Sequence, residues 1–317
     1  MTLLVPARRV VTSLGLLTLA LAGAPLAAQE PMRLNRTIEL LEAGQATFGI
    51  FSHDRSLENA RALARSGLDF VFIDMEHGPL DIETLRVFLL GMTDKARIMA
   101  KGNLQPDVTP IVRIPVNGGD LATFIAKQVL DVGAMGVVFP YINTAEEALL
   151  AVRAVRYPQR RGAPDYEPQG IRGSGAGNAG WLWGIPDYSA KADVWPLDPQ
   201  GELMAVIQIE TAEAVRNVEA ILDVPGISAI FVGPADLGLS LGGSGAEGQA
   251  ELEAAIQTVL RATKARNIPI GITTSAGNIE QRLREGFNFV TVAFGDGGLT
   301  PAGTTTLQRG RAAAGRP

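Results

Sequence analysis

The sequence predicts an α/β chain of the (β/α)8 TIM-barrel class. Three observations carry this. Eight short apolar runs alternate with helical patterns, several of those patterns close on a glycine, and polar residues gather just after the apolar runs. Runs without polar alternation suit strands buried on both faces, and strand–helix alternation suits a parallel sheet. Eight such strands fit a closed barrel, whose chemistry sits at the carboxyl ends of the strands. An open doubly wound sheet is the alternative, but no G-x-G-x-x-G follows the first strand, which removes the usual dinucleotide site.

The chain opens on a segment unlike the rest. Arg8 and Arg9 precede an apolar stretch, Val10 to Ala22, and then Pro25-Leu26-Ala27-Ala28. A basic start, an apolar stretch too short to span a bilayer and a small-residue cleavage site describe a secretory signal peptide. Residues 1–28 are expected to be removed after Ala28, with a cut after Ala24 or an uncleaved anchor as alternatives. That leaves 29–317 as a single barrel domain, periplasmic or secreted. The leader holds two arginines and no acid, so its loss takes the formal charge from −5 to −7. An acidic chain argues against nucleic acid or an anionic membrane as partner. The chain has no cysteine, which excludes disulfides, thiolate metal sites and cysteine nucleophiles.

Beyond the leader, Phe48–Phe51 is the first candidate strand, and Leu57–Ser66, closed by Gly67, is its helix. Phe70–Asp74 is followed by a helix over Asp81–Met92. Ile111–Ile114 comes next, with Asp120–Asp131 running into Val132-Gly133. Gly136–Phe139 leads to Ala145–Arg156. The second half repeats the scheme: Ala205–Ile209 with Ala212–Asp223, then Ala229–Val232 with Gln249–Arg266. Pro269–Ile272 is followed by Ile279–Glu285 and its Gly286, and Phe289–Ala293 is the eighth strand. Glycine just past a helix takes up the left-handed conformation that ends it. Two stretches exceed ordinary loop length. Thr93–Thr109, with Lys95, Arg97 and Lys101, reads as a solvated surface insertion. Tyr157–Glu202, rich in Gly, Pro and Trp, reads as a functional or intersubunit segment. The tail after Gly297 is expected to give at most a short helix over Thr304–Ala314 and to fray.

Polar residues after the strands define one rim. Ser52, His53 and Arg55 follow the first strand, and Asp74, Glu76 and His77 the second. Arg113 ends the third, Pro140 and Tyr141 follow the fourth, and Gln208 and Glu210 close the fifth. Gly233-Pro234-Ala235-Asp236 follows the sixth, Thr273-Thr274-Ser275 the seventh, and Gly295-Asp296 the eighth. A carboxylate at the end of a buried strand is costly unless paired. Glu210 and Asp236, on consecutive strands, point into one mouth, and a divalent cation between them is the simplest partner. Hard oxygen donors suit Mg²⁺ or Mn²⁺, with Co²⁺ a further candidate. The alternative is that each only satisfies the N-terminus of its own helix.

His77, at the rim among acids, suits proton transfer, or else holds its turn by hydrogen bonds. Arg113 is directed inward by the strand alternation and needs an anion. A planar carboxylate fits its fork, and an ion pair with Asp74 or Glu210 is the alternative. No lysine ends a strand, so a Schiff base has no candidate amine, and no serine sits in G-x-S-x-G. A cation, an arginine and a histidine together suit the stabilisation of an enolate.

At these residues the chain resembles the metal-dependent (class II) pyruvate aldolases of the HpcH/HpaI (aldolase/citrate lyase) family, from about Thr47 to Gly295. The motifs are I-D-M-E-H-G-P at Ile73–Pro79, V-R-I-P at Val112–Pro115, L-D-V-G-A at Leu130–Ala134 and G-I-R-G-S-G at Gly170–Gly175. I-P-D-Y at Ile185–Tyr188, Q-I-E-T at Gln208–Thr211 and G-P-A-D-L at Gly233–Leu237 complete the set. The resemblance implies a phosphoenolpyruvate/pyruvate-domain-like barrel and reversible aldol cleavage of a 4-hydroxy-2-oxo acid to pyruvate and an aldehyde, through a metal-stabilised pyruvate enolate. It implies that Glu210 and Asp236 hold the metal and that Arg113 binds the pyruvate carboxylate, with Gln208 in the same pocket. His77 would be the acid/base and Asp131 its partner, while the backbone of Gly233, Pro234 and Ala235 would receive the substrate carboxylate. His53 and Arg55 are candidates for meeting the aldehyde's distal end. The resemblance also implies a homo-oligomer, trimer or hexamer, that exchanges its last barrel helix. An acyl-thioester lyase like the citrate lyases, or a non-catalytic exported oxo-acid-binding protein, are the other readings. Gly238 stands where the family commonly has serine.

Overall fold

Eight parallel strands curl into a barrel with helices packed around it. The computed structural model describes residues 32–115 and 122–317; residues 1–28, expected to be a signal peptide, lie outside the described residues. In chain order the elements of the Arg33–Pro317 unit begin with α1 (Arg36–Glu42), β1 (Thr47–Ser52), α2 (Leu57–Ala64), β2 (Phe70–Asp74) and α3 (Ile82–Gly91). They continue with α4 (Lys95–Lys101), β3 (Thr109–Arg113), α5 (Ala122–Asp131), β4 (Gly136–Phe139), α6 (Ala145–Val155), α7 (Gly177–Trp183), β5 (Val194–Trp195) and β6 (Leu203–Ile209). Then come α8 (Ala212–Arg216), α9 (Val218–Leu222), β7 (Ala229–Val232), α10 (Pro234–Leu241), α11 (Gly245–Ala265), β8 (Ile270–Ile272), α12 (Ile279–Glu285), β9 (Phe289–Phe294) and α13 (Pro301–Ala313).

The strand order is β8-β7-β6-β4-β3-β2-β1-β9, with β5 as a short extra pair on β6. The ring closes between β8 and β9 through the parallel bridge Thr273–Thr291, and Asn288 N–H donates to Ile270 O at 3.0 Å. Closure disposes of the open-sheet alternative. Every strand from β1 to β8 is buried along its length, which is why the sequence shows unbroken apolar runs. Alternate residues feed two cores. Ile73, Val112, Val137, Ile207 and Val290 face the helices, whereas Phe51, Phe70, Phe72, Ile111, Val206, Phe231 and Phe289 fill the barrel interior. The interior phenylalanines meet edge-on or tilted, Phe72 and Phe231 at 5.2 Å between centroids.

Helix α1 was not foreseen, because seven residues are too few for a period to show. Its Ile38 and Leu41 insert into the interior core at the amino ends of the strands. Asn35 caps it by accepting from Ile38 N–H, and the Asn35 amide donates to Met135 O and Glu202 O. The helix is thereby moored beneath β4 and β6 as a plug.

The tail is firmer than the sequence suggested. Thr300 caps α13, Pro301 begins it, and Thr306, Leu307 and Gly310 are buried. A Cβ on Gly310 would lie 2.5 Å from Ile279 Cδ1 and 2.7 Å from Phe48 Cε1, so the helix lies almost against the barrel. Arg316 then pairs with the buried Asp69 at 2.6 Å and covers the Phe48 ring. The expectation of fraying is corrected.

Both insertions are ordered too. Within residues 93–109, α4 is capped by Asp94 and ended by Gly102 in the left-handed conformation and has no buried residue, whereas Gln105 and Val108 beyond it are buried. Residues 157–202 fold around Arg156, which is fully buried and pairs with Asp193 at 2.7 Å and Asp165 at 2.7 Å. In that segment α7 packs on α5, and Trp183 Nε1 donates to Gly133 O at 2.9 Å.

Candidate active site

The carboxyl ends of β2, β3, β4 and β6 and the start of α10 converge on one mouth. Register accounts for its central pair. Strands β2 and β3 align Asp74 with Arg113, so the two side chains emerge side by side. Arg113 Nε donates to Asp74 Oδ1 at 3.0 Å, and Nη2 donates to Oδ2. On its other side Nη1 meets Glu76 Oε2 at 2.8 Å, and the guanidinium lies 4.5 Å above the Phe51 ring. The arginine is almost wholly buried and spans two carboxylates over an apolar floor. Burial works to raise the Asp74 carboxyl, yet the Arg113 bonds outweigh it and hold the group below its ordinary value. Glu76 goes the other way, since burial pushes it up more than Arg113 pulls it down.

Glu210 follows β6 and is buried. Tyr141 N–H donates to its Oε1 at 2.8 Å, and Gln208 Nε2 donates to its Oε2. Burial pushes its carboxyl up to about 7, and the nearby charges of Glu76 and Asp236 add to the rise. Asp236 stands in the first turn of α10, where it accepts from the Tyr141 hydroxyl at 3.3 Å. Gly233 is required at the turn between them, because a Cβ there would lie 2.4 Å from Glu210 Oε2.

The residues present fit a divalent cation. Glu76, Glu210 and Asp236 repel one another in a half-buried cluster, and Gln208 Oε1 is buried without a partner. A positive ion would relieve both the repulsion and the cost of burying Glu210. No group of three or more His, Cys, Asp and Glu poised to hold a metal occurs among the described residues. Glu210 and Asp236 would therefore have to hold such an ion as a pair of carboxylates.

His77 projects from the turn after β2. Its Nε2 lies 3.8 Å from Glu76 Oε2, its ring is largely exposed, and its backbone N–H points to Asp74 Oδ1 at 3.4 Å. Within this chain Asp131 pairs with Arg172. Standing at the end of α5, it accepts from Arg172 Nη2 at 2.8 Å, and Arg172 is itself buried against the rings of Tyr157 and Tyr188. Within the chain, Asp131 therefore anchors the G-I-R-G-S-G segment. The backbone of residues 233–235 is also less open than expected. Gly233 N–H donates to Ile209 O at 3.1 Å and Pro234 has no N–H, so the first turn of α10 leaves Ala235 as the donor of the three.

The two specificity candidates separate. Arg55 is buried and turned away from the mouth, with Nη1 on Asp74 O at 3.4 Å and Nη2 on Pro79 O. It clamps the 74–79 turn that carries Glu76 and His77. His53 stays at the mouth, with Nε2 3.0 Å from Asp74 Oδ2 and Nδ1 3.5 Å from Asp296 Oδ2. Asp74, Glu76 and Tyr141 were visible in the sequence as rim residues but had no assigned part in the site. The register of Asp74 with Arg113 was the available signal for the first; nothing local announced Tyr141.

The model of the HpcH/HpaI aldolase/citrate lyase family matches residues 47–300. The chain belongs to that family. Among curated HpcH/HpaI relatives, the hydroxypyruvate/pyruvate aldolase of Roseobacter denitrificans is 32% identical over 266 residues, 83% of this chain and 92% of that protein. A 4-hydroxy-2-oxo-heptane-1,7-dioate aldolase of Klebsiella pneumoniae is 34% identical over 275 residues, covering 86% and 89%. The crystal structure of an HpcH/HpaI family protein from Burkholderia cenocepacia superposes with a TM-score of 0.67 at 30% identity, over 88% of this chain and 96% of that one.

Proposed function

We propose that this chain is a carbon–carbon lyase, a class II pyruvate aldolase that reversibly cleaves a 4-hydroxy-2-oxo acid into pyruvate and an aldehyde. The observation that carries the reading is the buried Glu210 carboxylate beside Asp236, across the end of β4 from the Arg113 guanidinium. Curated relatives named as aldolases support it.

Glu210 and Asp236 would hold a divalent cation, Mg²⁺ or Mn²⁺. When bound, the ion supplies Lewis-acid polarisation of the 2-oxo group. Arg113 attracts the substrate carboxylate and the negative charge that develops on the pyruvate fragment, and the apolar Phe51 floor beneath it strengthens that attraction. Asp74 and Glu76 keep its fork aimed. Gln208 Oε1 is an unspent acceptor facing the same cluster. His77 takes the C4 hydroxyl proton as the C3–C4 bond breaks and returns one to the pyruvate fragment, with Glu76 as its carboxylate neighbour. Export to the periplasm or beyond, with cleavage after Ala28, is part of the same proposal, as is assembly into a homo-oligomer.

The test is a retro-aldol screen over 4-hydroxy-2-oxo acids with chelator-stripped protein and with Mn²⁺ or Mg²⁺ restored. Pyruvate release that depends on added ion is the expected result. Ion binding with no pyruvate from any member of the series would refute the lyase reading.

A further inference from the structure

We propose that Tyr141 is the positioning residue that sets the spacing of Glu210 and Asp236 and thereby the protein's hold on a divalent cation. The inference deepens the reading above and rests on it.

Tyr141 bonds to both carboxylates, and does so from opposite ends. Its backbone N–H donates to Glu210 Oε1 at 2.8 Å, and its phenol donates to Asp236 Oδ1 at 3.3 Å. The aromatic ring between those groups is rigid, so the residue acts as a spacer. Its backbone is strained for the purpose: φ is 54°, the left-handed region that a bulky L-residue rarely enters. Among the described residues other than glycine, Asn267 is the only companion, and asparagine tolerates that region.

Such strain persists only where the surroundings over-determine it, and it concentrates at functional sites. Here Asn143 supplies the constraint. Asn143 Nδ2 donates to Tyr141 O at 3.0 Å, Asn143 Oδ1 accepts from Thr211 Oγ1, and Asn143 O accepts from Asn217 Nδ2 at 2.8 Å. Thr211 directly follows Glu210. The turn that carries Tyr141 is thus tied to the same strand end as the carboxylate it bonds. Tyr141 is 36% exposed, so burial of the residue does not explain why the backbone is held this way. A hydroxyl on a ligating carboxylate fixes which oxygen faces the ion before the ion arrives, and losing such a partner typically weakens metal affinity about 10- to 100-fold.

The test is Mn²⁺ binding to chelator-treated protein, by calorimetry or by loss of the free-ion EPR signal, which needs no turnover. Tyr141→Phe removes the phenol and keeps the ring and the backbone donor. The expected result is at least tenfold weaker Mn²⁺ binding with the melting temperature of the ion-free form unchanged. The concentration of Mn²⁺ needed for half-maximal pyruvate release rises in step, while kcat at saturating ion returns toward wild type. Affinity within twofold of wild type overturns the proposal. Tyr141→Asn, whose backbone accepts the left-handed turn more readily, is the second variant if the phenylalanine form melts low. The same loss of affinity is expected, and wild-type affinity overturns it. Should the wild-type protein itself fail to bind Mn²⁺, the metal reading falls and this inference with it. If wild type binds and Tyr141→Phe binds equally, this inference alone fails.

Discussion

Replacing Glu210 by glutamine should stabilise the ion-free protein at alkaline pH while abolishing its response to metal. The Glu210 carboxyl has an ordinary value of 4.5 and is pushed up to about 7 by burial. A group whose folded pKa is raised contributes stability that is fully present below the unfolded value and is lost as pH rises through the folded one. The ion-free wild type therefore loses about 3 kcal/mol between roughly pH 4.5 and 7, taking about 1.4 kcal/mol for each tenfold change. Glutamine does not titrate, so the variant escapes that loss. It also fits the local hydrogen bonding. Tyr141 N–H retains an acceptor, and a rotated Gln208 amide presents its Oε1, now buried and unpartnered, to the new Nε2. In a chain of this size about 3 kcal/mol corresponds to roughly 5 °C in Tm. The assay is thermal unfolding of chelator-treated protein from pH 5 to 8.5, with and without Mn²⁺. At pH 5 the two forms should melt together, and at pH 8 Glu210→Gln should melt higher. Saturating Mn²⁺ should raise the wild type by about 2.7 kcal/mol at a hundred times Kd and leave the variant unmoved. A variant that melts at or below wild type at pH 8 would refute the electrostatic argument, and an equal Mn²⁺ shift would refute the ligand assignment.

Other substitutions separate the remaining roles. Arg113→Ala should lower kcat/KM by about three orders of magnitude in the retro-aldol assay, because it removes a charge contact to the developing enolate; a loss under tenfold would exclude that part. Asp131→Asn should cost about 2–3 kcal/mol in denaturant unfolding, by leaving the buried Arg172 without its carboxylate. Lost turnover at unchanged stability would instead favour a direct partnership with His77. Arg55→Ala should lower kcat through a loosened 74–79 turn and leave the preference between acidic and neutral aldehydes untouched, since Nη1 and Nη2 are committed to backbone carbonyls. A change in that preference would return Arg55 to the substrate. Terminal sequencing of the exported protein should read from Gln29; an intact Met1 would contradict the leader assignment.

The barrel was legible because parallel strands buried on both faces write themselves as apolar runs. Phe70–Asp74, Gly136–Phe139 and Ala229–Val232 fall where the residues alone place them. Glu210 and Asp236 were legible for a related reason, as acids at strand ends, where position in sequence maps directly onto position at the rim. What escaped was whatever depends on contacts remote in sequence. The partner of Asp131 is 41 residues away, in a segment whose path only Arg156 and its carboxylates define. Helix α13 is rich in Gly and Thr and so resembles a loose tail, yet those small residues are what allow it to lie against Phe48 and Ile279. Tyr141 escaped because its left-handed backbone is imposed by Asn143, Thr211 and Asn217, and tyrosine itself gives no sign of it.

Helix α1 stoppers the amino end of the barrel with Ile38 and Leu41, which leaves the carboxyl-end mouth as the approach to Arg113 among the described residues. On the proposed function, a substrate seated with its carboxylate at Arg113, over Phe51, would carry its aldehyde half toward that mouth. Cleavage would then impose a queue, with the aldehyde departing first and pyruvate last. In steady-state kinetics pyruvate would compete directly with the hydroxy-oxo acid, whereas the aldehyde would inhibit without displacing it.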